Sequence, residues 1–405
     1  MKTQKVLILV LCLLTISGFF FGCVSGIEQA SSQASTETEG ATNLEGTAPQ
    51  SYPLPQENRK ARSTSLWGVA STVSDGYFYG REYLRYYDAQ SGRTMILCSQ
   101  PGCPHNDSTC QAWLGNASIM VEYKEILYYV LSDDAGERLC AKDLSTGEIT
   151  ELDAWKHTED YFYSCALERC AYDRMTVFLR KIPNEIRNPQ GEESRETFLY
   201  DLKTGEKQAL TWEEEGESIS ILAMNRDYAL AQYARYLGDD PQSDVFYDNY
   251  ALRLYRFSDG SYTIISSEEE NGFHPTGDPS KTYGNIVVFQ EKDTLCLYDL
   301  DKLEKRELLT MDNIINYLIM DGKVFFITEE GPMGTPEQAV GVYYADLETG
   351  KPMRLENGGN TEVMEMGLGW EGNSFFAVTG KGGKYIIPKA DFYQDNYEAA
   401  RPGGY

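Results

Sequence analysis

The chain has 405 residues, with 36 Lys and Arg against 62 Asp and Glu, a formal net charge of −26, and 41% of its residues are hydrophobic. That balance argues against nucleic acid or anionic lipid as partners, because a phosphate-binding face needs clustered Lys or Arg. It reads as a solvated acidic surface that keeps the protein soluble, with attraction of cations such as calcium the sharper alternative.

The first residues bear on location. Lys2 and Lys5 precede an apolar run from Val6 to Phe21, which is too short and too unevenly flanked for an ordinary membrane span and has the layout of a secretory signal. It ends Phe20-Phe21-Gly22-Cys23, which resembles a bacterial lipobox, with Phe20 where the pattern usually has Leu. The resemblance implies cleavage after residue 22, diacylation of Cys23 and anchoring at the extracytoplasmic face of the cell membrane. A plain secretory signal with an incidental Cys is the alternative. From Val24 to Ser51 there is no aromatic residue, no Lys and no Arg. Such a segment cannot bury enough apolar surface to offset its ordering entropy and is expected to be a flexible tether. About 28 residues of coil reach roughly 30 Å. The expected division is therefore 1–22 signal peptide, 23–51 lipidated Cys and tether, and 52–405 folded domain.

Beyond residue 52 one phrase recurs: an apolar block, Asp-Leu, two polar residues, Gly and another strand. It reads D-L-S-T-G at Asp143–Gly147, D-L-K-T-G at Asp201–Gly205 and D-L-E-T-G at Asp346–Gly350, with weaker copies at Asp88, Phe257 and Asp299. A unit repeated every 43 to 58 residues points to a radial array of small sheets, an all-β β-propeller. Blocks rich in Tyr, Phe, Val and Ile precede each turn, and no long segment has a capped 3.6-residue apolar period, so helix content should be very low. The blocks expected as second strands fall at Tyr77–Tyr79, Ile126–Val130, Thr176–Leu179, Tyr228–Ala231, Ile286–Phe289, Val324–Ile327 and Ser374–Val378. That predicts seven four-stranded blades. No clear fourth strand follows Ala390-Asp391, so residues near Tyr52–Arg62 are expected to complete the last blade and close the ring.

In a meander of strands A to D, the B–C and D-to-A connections share one face, and the A–B and C–D turns share the other. The D-L-x-T-G phrases are short C–D turns and read as turn chemistry. Long B–C insertions at Lys181–Glu196, Gln232–Tyr250 and Glu329–Val340 gather on the opposite face, as recognition loops on a rigid scaffold do. The second is the candidate ligand site. Tyr233, Tyr236, Phe246, Tyr247 and Tyr250 interleave there with Asp239, Asp240, Asp244 and Asp248. Rings beside carboxylates suit a glycan or a peptide. The alternative is a loop that packs its own aromatics on the rim. The spacing of its acids matches neither an EF-hand nor an RTX-type calcium loop.

The most distinctive local sequence joins the first two blades. Cys98, Cys103, His105 and Cys110 give C-x4-C-x-H-x4-C, and the expected D-to-A position puts them on the long-loop face. Three thiolates and an imidazole can close a tetrahedral shell around a structural zinc, although the spacing is not a standard zinc-finger one. Export also permits one disulfide plus a free thiol, and a strictly anaerobic setting permits free thiols. Cys165 and Cys170 are read as flanking an A–B hairpin and as a candidate disulfide, while Cys140 and Cys296 read as small buried strand-C residues. The pattern C-x-x-P-x-C-x-H-x4-C-x-A, carried by Cys98, Pro101, Cys103, His105, Cys110 and Ala112 behind a lipobox and tether, resembles a group of uncharacterised β-propeller surface lipoproteins of Gram-positive gut anaerobes. The resemblance implies fold and location and no particular activity.

An enzyme would have to draw on three His, at 105, 157 and 274, and the last two read as surface or packing residues. There is no G-x-S-x-G elbow and no sialidase-type repeat, and no catalytic residue is assigned. The leading expectation is a non-catalytic, lipid-anchored binding module for a glycan, a peptide or an envelope protein. The alternatives are a carbohydrate-active enzyme, hydrolase or lyase, using rim carboxylates, and an accessory subunit of an envelope complex.

Overall fold

In the computed structural model, residues 54–403 are described apart from 64–70, 74, 185, 189, 213–215, 237–246, 275–281, 332–338, 356–367 and 381–382. The signal segment, Cys23 and the tether lie outside the described residues.

The apolar blocks become strands because they lie between neighbouring sheets and bury both faces, as at Val324, Phe325 and Phe326, which are all fully buried. Seven antiparallel sheets follow one another along the chain, each a meander, and all seven predicted blocks are second strands. Blade one is small, built from Ser71–Val73, Gly76–Tyr79, Arg85–Asp88 and Arg93–Ile96. Blade two is larger, with Ala117–Tyr123, Ile126–Asp133, Gly136–Asp143 and Ile149–Lys156. Blades three to seven occupy 161–210, 217–267, 273–310, 314–354 and 368–402. The core consists of apolar clusters shared between neighbouring blades. One joins Leu84 of blade one to Met120 and Leu127 of blade two, and another joins Tyr77 and Tyr87 of blade one to Phe375 and Ile386 of blade seven. Those packed seams close a seven-bladed propeller. The described helices are single turns, such as Glu268–Asn271 and Lys389–Phe392.

The recurrent phrase is a C–D turn throughout. Asp143 Oδ1 accepts Ser145 N at 2.8 Å, Ser145 Oγ at 2.6 Å and Thr146 N at 2.8 Å, and Gly147 has φ +78°. These donors pull the Asp143 carboxyl down to about 2. Asp201 and Asp346 accept from the second and third residues beyond them in the same way.

Ring closure differs from the sequence expectation. Strand D of blade seven is Arg401–Pro402, which pairs with Ile386 and Tyr385, so the last blade is completed by the chain's own C-terminal residues. The N-terminal segment runs along the ring axis. Arg59–Lys60 pairs with Cys170 and Arg169 on strand A of blade three, and Arg62–Ser63 pairs with Met120 and Ile119 on strand A of blade two. Just before these pairs the chain bonds to A–B turns around the ring. Glu57 Oε2 accepts Tyr123 Oη at 2.9 Å and Tyr172 N at 2.8 Å, while Asn58 Oδ1 accepts Met224 N at 2.8 Å. Asn58 Nδ2 donates to Asn285 Oδ1, and Leu54 N donates to Asn373 Oδ1 at 3.1 Å. Residues 54–58 thus bridge blades two, three, four, five and seven on the face of the A–B and C–D turns. Strand A is the innermost position of a blade, so a segment that pairs with it must lie in the central channel.

Candidate functional site

Strand D of blade one stops at Ile96, and Leu97 N donates to Leu84 O at 3.0 Å. The chain then leaves the sheet for 14 residues and returns at Ala112, whose carbonyl accepts Leu84 N at 2.7 Å, while Leu114 N donates to Glu82 O at 2.8 Å. Tyr83 and Trp113 form an antiparallel bridge between these stretches, with their rings edge to face at 5.0 Å. The excursion is pinned at both ends by one extended stretch, Glu82–Leu84, which leaves its interior to fold around its own polar groups.

That interior gathers the predicted ligands. Cys98 Sγ, Cys103 Sγ, Cys110 Sγ and a ring nitrogen of His105 all lie within 4.8 Å of one another. His105 Nδ1 is 3.2 Å from Cys110 Sγ, and Ala112 N donates to the same sulfur at 3.4 Å. A zinc ion with bonds of about 2.3 Å to sulfur needs its ligand atoms close to 3.8 Å apart, so the cluster approaches a closed tetrahedral shell. The cluster can hold a metal ion, and among the described residues it is the only such group of Cys, His, Asp and Glu. Burial pushes the Cys110 thiol up to about 11. Burial also acts to raise Cys98, yet that thiol lies below its ordinary value, because the Gln100 and Gln111 backbone and the thiols of Cys103 and Cys110 hydrogen-bond to it.

The position of the cluster corrects the sequence reading, which placed it with the long loops. Gln111, next to Cys110, reaches the C–D turn of blade two: its carbonyl accepts from Lys142 Nζ, which also donates to Gly147 O at 3.3 Å. The Gln111 side-chain oxygen accepts Ser99 N at 3.1 Å and Ser99 Oγ at 2.6 Å, tying the Cys98 end to the Cys110 end. The excursion therefore folds down the flank of blade two toward a D-L-S-T-G turn. Lys142 and Gln111 are absent from the motif reading. The signal for Lys142 lies in the repeat: the position before the turn is filled by Tyr87, Tyr200, Tyr255, Tyr298 and Ala345 in the other legible copies, and by Lys142 in blade two.

The other cysteines fall in the core. Cys140 and Cys296 are buried on strands C, as expected. Cys165 and Cys170 do not flank a hairpin. Both lie on Tyr161–Ala171, where Cys165 pairs with Leu179 and Cys170 with Met175. Five residues of strand separate their Cα atoms by about 16 Å, beyond the roughly 7 Å limit for a disulfide.

The long B–C hairpins are where the sequence puts them, with shorter loops than expected. In blade four, strands B and C run Tyr228–Tyr236 and Tyr247–Arg256, and Tyr236 pairs with Tyr247. Tyr233 belongs to the core: it is buried, its hydroxyl donates to Glu217 at 2.9 Å, and the Arg253 guanidinium lies over its ring. Tyr250 is half-buried beside Glu268. Asp239, Asp240, Asp244 and Phe246 lie outside the described residues. In blade three the hairpin tip is braced by Arg180, which grips Glu193 at 3.0 and 2.9 Å, and by Asn184 Oδ1, which accepts Ile186 N at 3.1 Å. His157 Nδ1 accepts Tyr163 N at 3.2 Å and its ring packs on Phe162, so it serves packing. His274 is exposed on a two-residue strand.

Among the described residues, a buried carboxylate pair lies opposite the loop face. Asp321 and Glu371 are buried with Lys323 and Lys389, and Lys389 Nζ is 2.9 Å from Asp321 and 2.7 Å from Glu371. Tyr393 Oη donates to Asp321 at 2.7 Å. Two acids matched by two lysines form a neutral staple between blades six and seven.

No family model and no curated protein matches this sequence. Several solved structures share the architecture at 13% identity or less. A prolyl endopeptidase aligns at 12% identity with a TM-score of 0.50, over 86% of this chain and 49% of that chain. Oligogalacturonate lyase from Vibrio parahaemolyticus aligns at 10% and 0.44, over 83% and 95%. The β-propeller domain of the Trilobed protease from Pyrococcus furiosus aligns at 13% and 0.41, over 78% and 93%. At such identities the likeness bears on the fold alone.

Proposed function

We propose that the protein is a lipid-anchored, extracytoplasmic binding module without catalytic activity, which recognises a glycan, a peptide or an envelope protein through its B–C loops. One observation carries this reading: the chain enters the ring at Leu54 on the A–B and C–D face, whereas the long hairpins of blades three, four and six emerge on the other. The entering chain and the long hairpins thus occupy different faces of the ring, which supports recognition by the hairpin loops. The segment 59–63 pairs along inner blade edges, which directs recognition to the rim instead of the channel. Glycan arrays and pull-downs from envelope extracts test this. Deleting 237–246 should abolish retention, undiminished retention would remove blade four from the site, and product release from a bound polysaccharide would overturn the non-catalytic reading.

The same proposal assigns one structural zinc to Cys98, Cys103, His105 and Cys110. Three sulfurs and a nitrogen in one compact group support it, since a disulfide there leaves one thiol without a role. Metal analysis of the purified protein should return one zinc per chain, and alkylation without reduction should modify these cysteines only after chelation. A disulfide-linked peptide from this segment would overturn the assignment.

A further inference from the structure

We propose that Lys142 is the counter-charge of this centre, a buried ammonium that neutralises a zinc held by three thiolates and one imidazole. The inference rests on the zinc assignment above and adds a residue that no ligand-spacing pattern contains.

The charge count comes first. Zn²⁺ with three thiolates and a neutral imidazole carries a net charge of −1. Cys110 is buried and Cys98, Cys103 and His105 are half-buried, so water screens that charge only in part. A partly desolvated anion needs a nearby cation or a dense set of donors.

Lys142 poses the complementary problem. It is 2% exposed, and its ammonium donates to two backbone carbonyls, Gln111 O and Gly147 O. Among the described residues it forms no ion pair with a carboxylate, whereas the other two buried lysines, Lys323 and Lys389, both reach Asp321. A buried ammonium with no anion is a costly arrangement. The ammonium sits on the carbonyl of the residue that follows Cys110. The connection is short: Lys142 holds Gln111, which follows Cys110, and Gln111 holds Ser99, which follows Cys98.

Neither sheet register nor packing asks for a lysine here. The equivalent position is a buried Tyr or Ala in blades one and three to six, at Tyr87, Tyr200, Tyr255, Tyr298 and Ala345, and a buried Ile387 in blade seven. The cation also favours metal over oxidation. A disulfide plus a protonated thiol is neutral and would leave the ammonium alone, while the zinc thiolate centre matches it.

The test uses the full-length protein, stripped of metal and titrated with Zn²⁺ against a chromophoric chelator. Lys142→Gln keeps a donor and loses the charge, and should weaken zinc binding by about 10- to 100-fold. Lys142→Arg keeps the charge and should stay within about three-fold of wild type. With Co²⁺ at saturation, the thiolate-to-cobalt charge-transfer bands of Lys142→Gln should move to lower energy, because the sulfur lone pairs lose a neighbouring cation; those of Lys142→Arg should not move. Wild-type affinity and unshifted bands in Lys142→Gln would overturn the inference and leave the zinc assignment standing. A wild-type protein that takes up no zinc overturns both. If Lys142→Gln gives no cooperative melt, the arginine variant decides: wild-type affinity and bands support the counter-charge, and lost binding overturns it.

Discussion

At Leu303 the chain adopts φ +55° where the D-L-x-T-G turns carry glycine, and the side chain stays exposed. The turn survives because Asp299 Oδ1 still accepts Asp301 N and Lys302 N, so hydrogen bonding offsets the left-handed strain. Leu303→Gly should therefore raise the unfolding free energy by about 0.5–1 kcal/mol, read from the urea midpoint at constant slope; an unchanged or lowered midpoint would show that the strain is not there to relieve. The same backbone physics explains why the Cys165 and Cys170 hairpin was misplaced from sequence. Tyr172 and Asp173 turn the chain with φ of +51° and +61°, and Lys124 and Glu125 do so with +52° and +64°. Neither pair contains Gly or Asn, the residues by which such turns are read. The C–D turns were legible because their Asp, Thr and Gly each have a fixed task.

Among the elements, second strands were legible because they bury both faces between blades, and their apolar blocks follow directly. The closing strand was not. Arg401–Pro402 is two polar or rigid residues long and exposed, and it is held by its ladder bonds to Ile386 and Tyr385 and by two long side-chain bonds to blade one, from Arg401 to Gln90 O and from Tyr87 Oη to Pro402 O. Its path is set upstream by the turn Lys389–Phe392, which Lys389 fastens to Asp321 and Glu371. Lys389→Met leaves two buried carboxylates short of a cation and should cost about 3–5 kcal/mol, measured by chemical denaturation. A loss below 1 kcal/mol would mean that the pairing is not what holds blade seven to blade six. The Cys98–Cys110 excursion belongs to the same class. Its ligands were legible as residue types, but its docking on the flank of blade two depends on main-chain bonds from Leu84 to Ala112 and on Lys142, which no motif contains.

For the whole molecule, composition and repeat length predict a seven-bladed ring, and the structure has seven blades. The axial segment was hidden because Arg59-Lys-Ala-Arg-Ser63 has no strand-like alternation. It is held by ladder bonds and by a few side chains placed once each around the ring. Glu57→Ala removes the acceptor shared by Tyr123 and Tyr172 and should cost about 1–3 kcal/mol, seen as a lower melting temperature; wild-type stability would show that the axial contacts are passive. The axial route has a mechanical consequence. A load applied through the chain preceding Leu54 falls first on the single bonds of residues 54–58 and then on residues 59–63, which lie alongside the inner strands of blades two and three, so that the ladder bonds there are sheared together and not peeled one at a time. Strain is thereby delivered to the middle of the ring, where the inner strands of blades two and three share it.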